Sequence, residues 1–288
     1  MTVVAAETAA VTWHAHPSVW LTIIGLIVGY LWATTRLGPR LAPPGEAYVT
    51  TRQKTLFFVG VGFIYLGAEW PIHDISENYL FSVHMIQHTL FSLVAPPLLL
   101  LGTPRWLLRL MIPRRFMPLV RWWTKPLIAF ATFNAVIVVT HWPFLVNASV
   151  GSEPLHFLLH SVLFSASLLM WWPVVDPLPE LSRLTAPGKM LYLFGQSILP
   201  TVPASFLTFS SSPIYSAYAD FPRLWNISAV DDQMVAGLLM KIGGGLLLWS
   251  VITVIFFRWY ARENRDEQET VTWHDFEHEL DAWDLRRT

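Results

Sequence analysis

Apolar residues along this chain gather into seven long runs separated by charged or proline-containing stretches. The runs lie at 18–35, 53–69, 80–101, 126–141, 155–172, 190–210 and 233–257. About 20 apolar residues suffice to cross the hydrocarbon of a bilayer as an α-helix, and an open sheet could not satisfy its backbone there. The pattern therefore predicts an all-α integral membrane bundle of seven transmembrane helices, embedded in the lipid bilayer. The fourth and fifth runs are short. Pro200 and Pro203 fall inside the sixth, where they predict a kink and freed carbonyls. Three parts follow: an N-terminal segment, 1–17; a membrane domain, 18–258; and a charged tail, 259–288, patterned as an amphipathic helix.

The polar stretches set an orientation. Arg36, Arg40, Arg52 and Lys54 occupy the first loop, and Arg105, Arg109, Arg114, Arg115, Arg121 and Lys125 the third. Arg183 and Lys189 occupy the fifth, and Arg258, Arg262 and Arg265 follow the last run. The alternate segments 1–17, 70–79 and 143–154 hold no Lys or Arg, and 211–232 holds only Arg223. Basic loops stay in the cytoplasm, so the N-terminus is expected outside and the C-terminus inside. Without basic residues before the first run, no cleavable leader is expected.

Composition sharpens the class. The chain is 53% hydrophobic and 14% charged, with mean hydropathy +0.44, too little charge to cover a soluble domain. A net charge of −1 carries no footprint for nucleic acid. There are no cysteines, which excludes disulfides, thiolate metal sites, cysteine nucleophiles and c-type haem attachment.

The candidate chemistry is histidine at one depth. His84 and His88 fall in the outer half of the third run, His141 ends the fourth, and His156 and His160 open the fifth. Under the expected topology all five sit near the outer interface. "HMIQH" and "HFLLH" both place imidazoles at i and i+4, on one helix face about 6 Å apart along the axis. Two such pairs with His141 would supply more nitrogens than one ion needs. Imidazole suits copper, zinc, iron and nickel, with copper bound most tightly; Met85 and Met234 could add a thioether for Cu(I). A lone interfacial histidine is more often a packing residue, and the shared depth is what favours ligation. His274 and His278 repeat the spacing in the tail, among acids that mark a solvated face.

Other polar residues collect at the same level. Glu69 ends the second run, while Asp231 and Asp232 precede the seventh. An aspartate there caps a helix, or Asp232 orients a ligand histidine or completes a metal shell. Lys241 lies about 13 Å along its helix from Asp232, near mid-bilayer, where it could snorkel, pair or stay neutral.

Four fragments together resemble one family: "YLFSVHMIQHTLFSLVAPPLLLLGTP", "HFLLHSVLFSASLLMWWPVVDPLP", "FSSSPIYSAYA" and "ISAVDDQMVAGLLMKIGGG". In consistent order over residues 50–260, they resemble the polytopic CtaG-type cytochrome c oxidase assembly proteins associated with caa3-type oxidases. The resemblance implies a non-enzymatic, multi-pass protein of the bacterial plasma membrane that matures the oxidase by handling copper, with subunit I or II as its partner. The same domain occurs fused to copper-import modules. The family's motif histidines match His84, His88, His141, His156 and His160, and its "DQ" matches Asp232 and Gln233. Lys241 departs from the pattern, since many relatives have a bulky apolar residue there. Alternatives are a copper transporter and a haem b-binding protein. Protease chemistry lacks its base, because Met85 stands where a zincin has glutamate.

Overall fold

The computed structural model describes residues 14–45, 47–181, 184–269 and 273–284. Arg183, most of the 1–17 segment and the side chain of His274 lie outside the described residues. Among the described residues all regular structure is helical.

Among the described residues, six helical stretches are long and apolar enough to cross a membrane. The main helices are α1 (Pro17–Leu41), α2 (Thr51–Ala68), α3 (Phe81–Gly102), α4 (Pro126–Thr140), α5 (Glu153–Val175), α6 (Ala186–Phe209) and α7 (Ala229–Arg265). A capping box opens α2: the Thr50 side chain accepts from the Gln53 N–H, and the Gln53 side chain accepts from the Thr50 N–H. Past Ala68 the chain breaks at Glu69–Pro71 and resumes as the short helix Ile72–Asn78. The expected break in α6 falls at Leu199–Pro200, where one helix ends at Ile198 and the next starts at Thr201. Helical structure in α7 runs past residue 257 without interruption to Glu269.

The fourth expected span is the exception. At 15 residues, α4 rises only about 22 Å, against roughly 30 Å of hydrocarbon. It passes as a span only when joined to Arg114–Trp123, which meets it at a 76° bend. The structure therefore carries six to seven candidate spans. The histidines fix what α4 does within the bundle. His84 near the start of α3 and His156 near the start of α5 have ring centroids 5.6 Å apart, so both helices begin at the same end. The chain must return from the far end between them. It does so through α4, which ends with His141 beside His88 at 5.4 Å.

Packing explains how the bundle holds. One apolar core joins Leu100 of α3, Phe133 of α4, Leu163 and Met170 of α5, Leu193 of α6 and Leu248 of α7. A second joins Tyr30, Phe57, Val61 and Leu99 across α1, α2 and α3. α3 and α2 approach closely because Gly102 has no side chain; a Cβ there would lie 2.7 Å from the Phe57 Cα. Large apolar side chains such as Leu127, Phe206, Phe209 and Leu246 point outward, as a lipid-facing surface requires.

α3 is not uniform. After Thr89 it widens into a π-helical turn, Leu90–Val94. Pro96 and Pro97 follow and have no N–H to offer the carbonyls of Ser92 and Leu93. The Trp171 indole of α5 donates to the Ser92 carbonyl instead, at 3.0 Å. A proline pair thus loosens the turn below the histidines and ties α3 to α5.

Candidate metal centre

The site begins with the first turn of α3. Its free N–H groups at Phe81 and Ser82 donate to the two carboxylate oxygens of Asp232, at 2.7 and 2.9 Å. Asp232 is buried and belongs to α7, so an acid from one helix caps another. This fixes the start of α3 and with it the facing of His84 and His88, whose rings are 4.4 Å apart. α5 presents His156 and His160 in the same way, again 4.4 Å apart. The pairs interlock: His84 lies 5.4 Å and His88 4.9 Å from His160.

One nitrogen from each of His84, His88 and His160 falls within 4.8 Å of the other two, a group able to hold a metal ion. Three ligands about 2 Å from one ion stand about 3.5 Å apart, so closure asks each ring to move only slightly. The same three residues carry unpartnered nitrogens. Nδ1 of His84, Nδ1 of His88 and both nitrogens of His160 are buried without a hydrogen-bond partner. Buried polar atoms are nearly always paired, so unpartnered nitrogens on all three residues of the convergent group are unusual. His84, His88 and His160 line a cavity of ≈ 20 Å³ with His156, Ser149 and Tyr218, enough for a single water or ion.

The remaining candidates take different places. His141 uses Nδ1 on the Ile137 carbonyl at 2.8 Å and stands beside His88 rather than inside the three-nitrogen group. His156 Nε2 lies 3.1 Å from Glu77 Oε1, close but outside hydrogen-bond alignment. Met85 is buried and lines a second cavity, ≈ 50 Å³, with His88 and His141. Met234 is exposed on α7 and is not among the residues lining either cavity. Asp232 is not brought to the imidazoles, because both oxygens serve the α3 cap. Asp231 stays in its own first turn, where the Ser228 hydroxyl donates to it at 2.6 Å. Glu69 is buried and accepts from the Trp20 indole at 2.9 Å, with Oε1 unpartnered. Lys241 sits in the π-helical turn Leu239–Gly243 with Nζ 6.0 Å from the Phe209 ring centre.

The loop before α7 closes the site. The Tyr215 hydroxyl donates to the His141 carbonyl at 2.9 Å and that of Tyr218 to the Ser76 carbonyl at 3.1 Å. Burial pushes both phenols well above their ordinary range, so they remain neutral donors. The Gln233 amide holds this loop, accepting from the Ile214 N–H at 2.6 Å and donating to the Leu207 carbonyl at 3.2 Å.

Sequence reasoning passed over Glu77, Gln87 and Asp74, and placed His73 in an outer segment without assigning it to the site. Gln87 lies between the two α3 histidines, where it donates to the Gly67 carbonyl at 2.9 Å and lies 3.1 Å from His73 Nδ1. The available signal was "HDISE", with His73 and Glu77 at i and i+4 like the other pairs.

No curated protein and no solved structure matches the chain. A family model does, and it covers the helices that build the site. The model, described as Cytochrome c oxidase caa3 assembly factor (Caa3_CtaG), matches residues 28–262, and the chain belongs to that family of oxidase assembly factors.

Proposed function

We propose that this protein holds copper at His84, His88 and His160, with His141 and His156 alongside, and passes it to subunit I or II of cytochrome c oxidase during assembly. The observation that carries this reading is that two helices bring one nitrogen from each of His84, His88 and His160 within 4.8 Å of one another, on residues that also hold buried, unpartnered nitrogens. An ion in transit must bind and then leave. Neutral imidazoles without thiolates suit that, since they favour copper among available metals and exchange readily. Tyr218 lines the same cavity beside the imidazoles.

Family membership supports a role in oxidase assembly. The distribution of Lys and Arg among the loops supports a plasma-membrane protein with the histidine end outside. The role is delivery rather than catalysis, and copper is its cargo.

The test is metal analysis of the purified protein beside a variant with all five histidines changed to alanine, with oxidase activity measured in cells expressing each. The wild type should carry copper and the variant none; oxidase activity should fall while the protein remains at normal abundance. Equal copper in both proteins would overturn the reading. A Soret band in the wild type that vanishes in the variant would assign the histidines to haem instead.

A further inference from the structure

Beyond the three-imidazole group, a second set of metal-type donors runs in a series of side-chain contacts from exposed His14 to it. His14 Nδ1 lies 2.8 Å from one oxygen of Asp74, and His16 Nε2 lies 3.3 Å from the other. The His16 ring meets that of His73 edge-on, 4.5 Å between centres. His73 Nε2 is 3.3 Å from Glu77 Oε1, the same oxygen that His156 Nε2 approaches at 3.1 Å. His156 then touches His160 and His84 in the inner group.

Two gradients run along this series. Side-chain exposure falls from 63% at His14 to 20% at His16, 16% at His73 and 14% at His156, ending at buried His84. The donor chemistry changes as well. Asp74 and Glu77 stand among the outer imidazoles, whereas the inner group is imidazole alone. Carboxylates suit a divalent, still partly hydrated cation by offsetting its charge, and an all-nitrogen set suits a softer or dehydrated one.

We propose that His14, His16, His73, Asp74 and Glu77 form a separate outer station for a divalent first-row cation, which feeds the inner group through His156. Two imidazoles already meet one carboxylate there, His14 on one Asp74 oxygen at 2.8 Å and His16 on the other at 3.3 Å. Glu77 stands between two imidazoles, as a carboxylate that changes partners during transfer must. Only the inner end of this path rests on the function proposed above; the station itself does not.

The experiment is equilibrium dialysis of the full-length protein in detergent against Zn²⁺, with bound metal counted, together with the rate at which the inner group loads. The wild type should bind two equivalents. His14→Ala combined with His16→Ala, at the exposed mouth where folding is least at risk, should lose one equivalent and slow inner loading at least tenfold. Asp74→Asn should do the same; if burial of Asp74 makes that variant unfold, the double histidine variant decides alone. A wild type binding a single equivalent, or a double variant that loses nothing or loses both, would overturn the station. A variant lacking His84, His88 and His160 should keep the outer equivalent and lose the inner. If it keeps both while the double variant loses one, the copper-site reading fails and the outer station stands.

Discussion

Asp232→Asn is the substitution whose cost the structure defines best. Asparagine matches aspartate in volume but replaces one carboxylate oxygen with an NH2 group. Both oxygens of Asp232 are in use, on the N–H groups of Phe81 and Ser82 at 2.7 and 2.9 Å, and the residue is 1% exposed. The variant can accept from one N–H only, and its own NH2 then faces the other. A hydrogen bond to a charged acceptor contributes about 1.5–3 kcal/mol, and a buried N–H left unpaired costs about 1–3 kcal/mol, sums that overlap. Losing the negative charge at a helix N-terminus adds about 0.3–1 kcal/mol. The expected destabilisation is about 3 kcal/mol, read as the shift in an SDS-unfolding curve followed by tryptophan fluorescence. Asp231→Asn, one residue earlier but exposed, should stay within about 0.5 kcal/mol. Copper should remain in the folded fraction, because Asp232 acts on the backbone of α3 and not on the ion. A variant as stable as the wild type would refute the cap, and one that is stable but devoid of copper would make Asp232 a ligand.

Three other outcomes can be checked directly. Gly102→Ala should destabilise by about 1–3 kcal/mol, since its Cβ meets the backbone of Phe57 and neither helix can give way, whereas Gly62→Ala, with nothing within 4 Å, should be neutral or slightly stabilising in the same unfolding assay. Moving an imidazole by combining His88→Ala with Thr89→His turns it about 100° around α3 at nearly constant depth. Copper occupancy should then fall as far as in His88→Ala alone, and full occupancy would point to an interfacial anchor. Reporter fusions within 143–154 should read as external and within 105–121 as cytoplasmic; the inverse would move the histidine end to the cytoplasmic side and end the case for delivery from outside.

Local rules carried much of this protein. Apolar run length announced the helices, because a bilayer imposes one length on each crossing. The i, i+4 spacing put His84 with His88 and His156 with His160, because a helix turns every 3.6 residues whatever surrounds it. The alternating direction of successive helices was enough to gather all five histidines at one end. Partner choice was beyond those rules. Asp231 and Asp232 are neighbours of identical type, yet one stays in its own first turn and the other caps a helix 151 residues away, a difference that exists only once α7 packs on α3. Met85 faces a cavity and Met234 the exterior for the same reason, as rotation about a helix axis is set by packing. α4 falls short of a full span by its own length, and only its packing beside α3 and α5 shows that it still returns the chain to the histidine end. His73 and Glu77 carried a visible spacing but sat outside every apolar run, and only the return of the short helix Ile72–Asn78 against α3 and α5 brings them to the histidines. Sequence periodicity reports the face of one helix; the meeting of faces depends on contacts between residues far apart in the chain, and those belong to the tertiary structure.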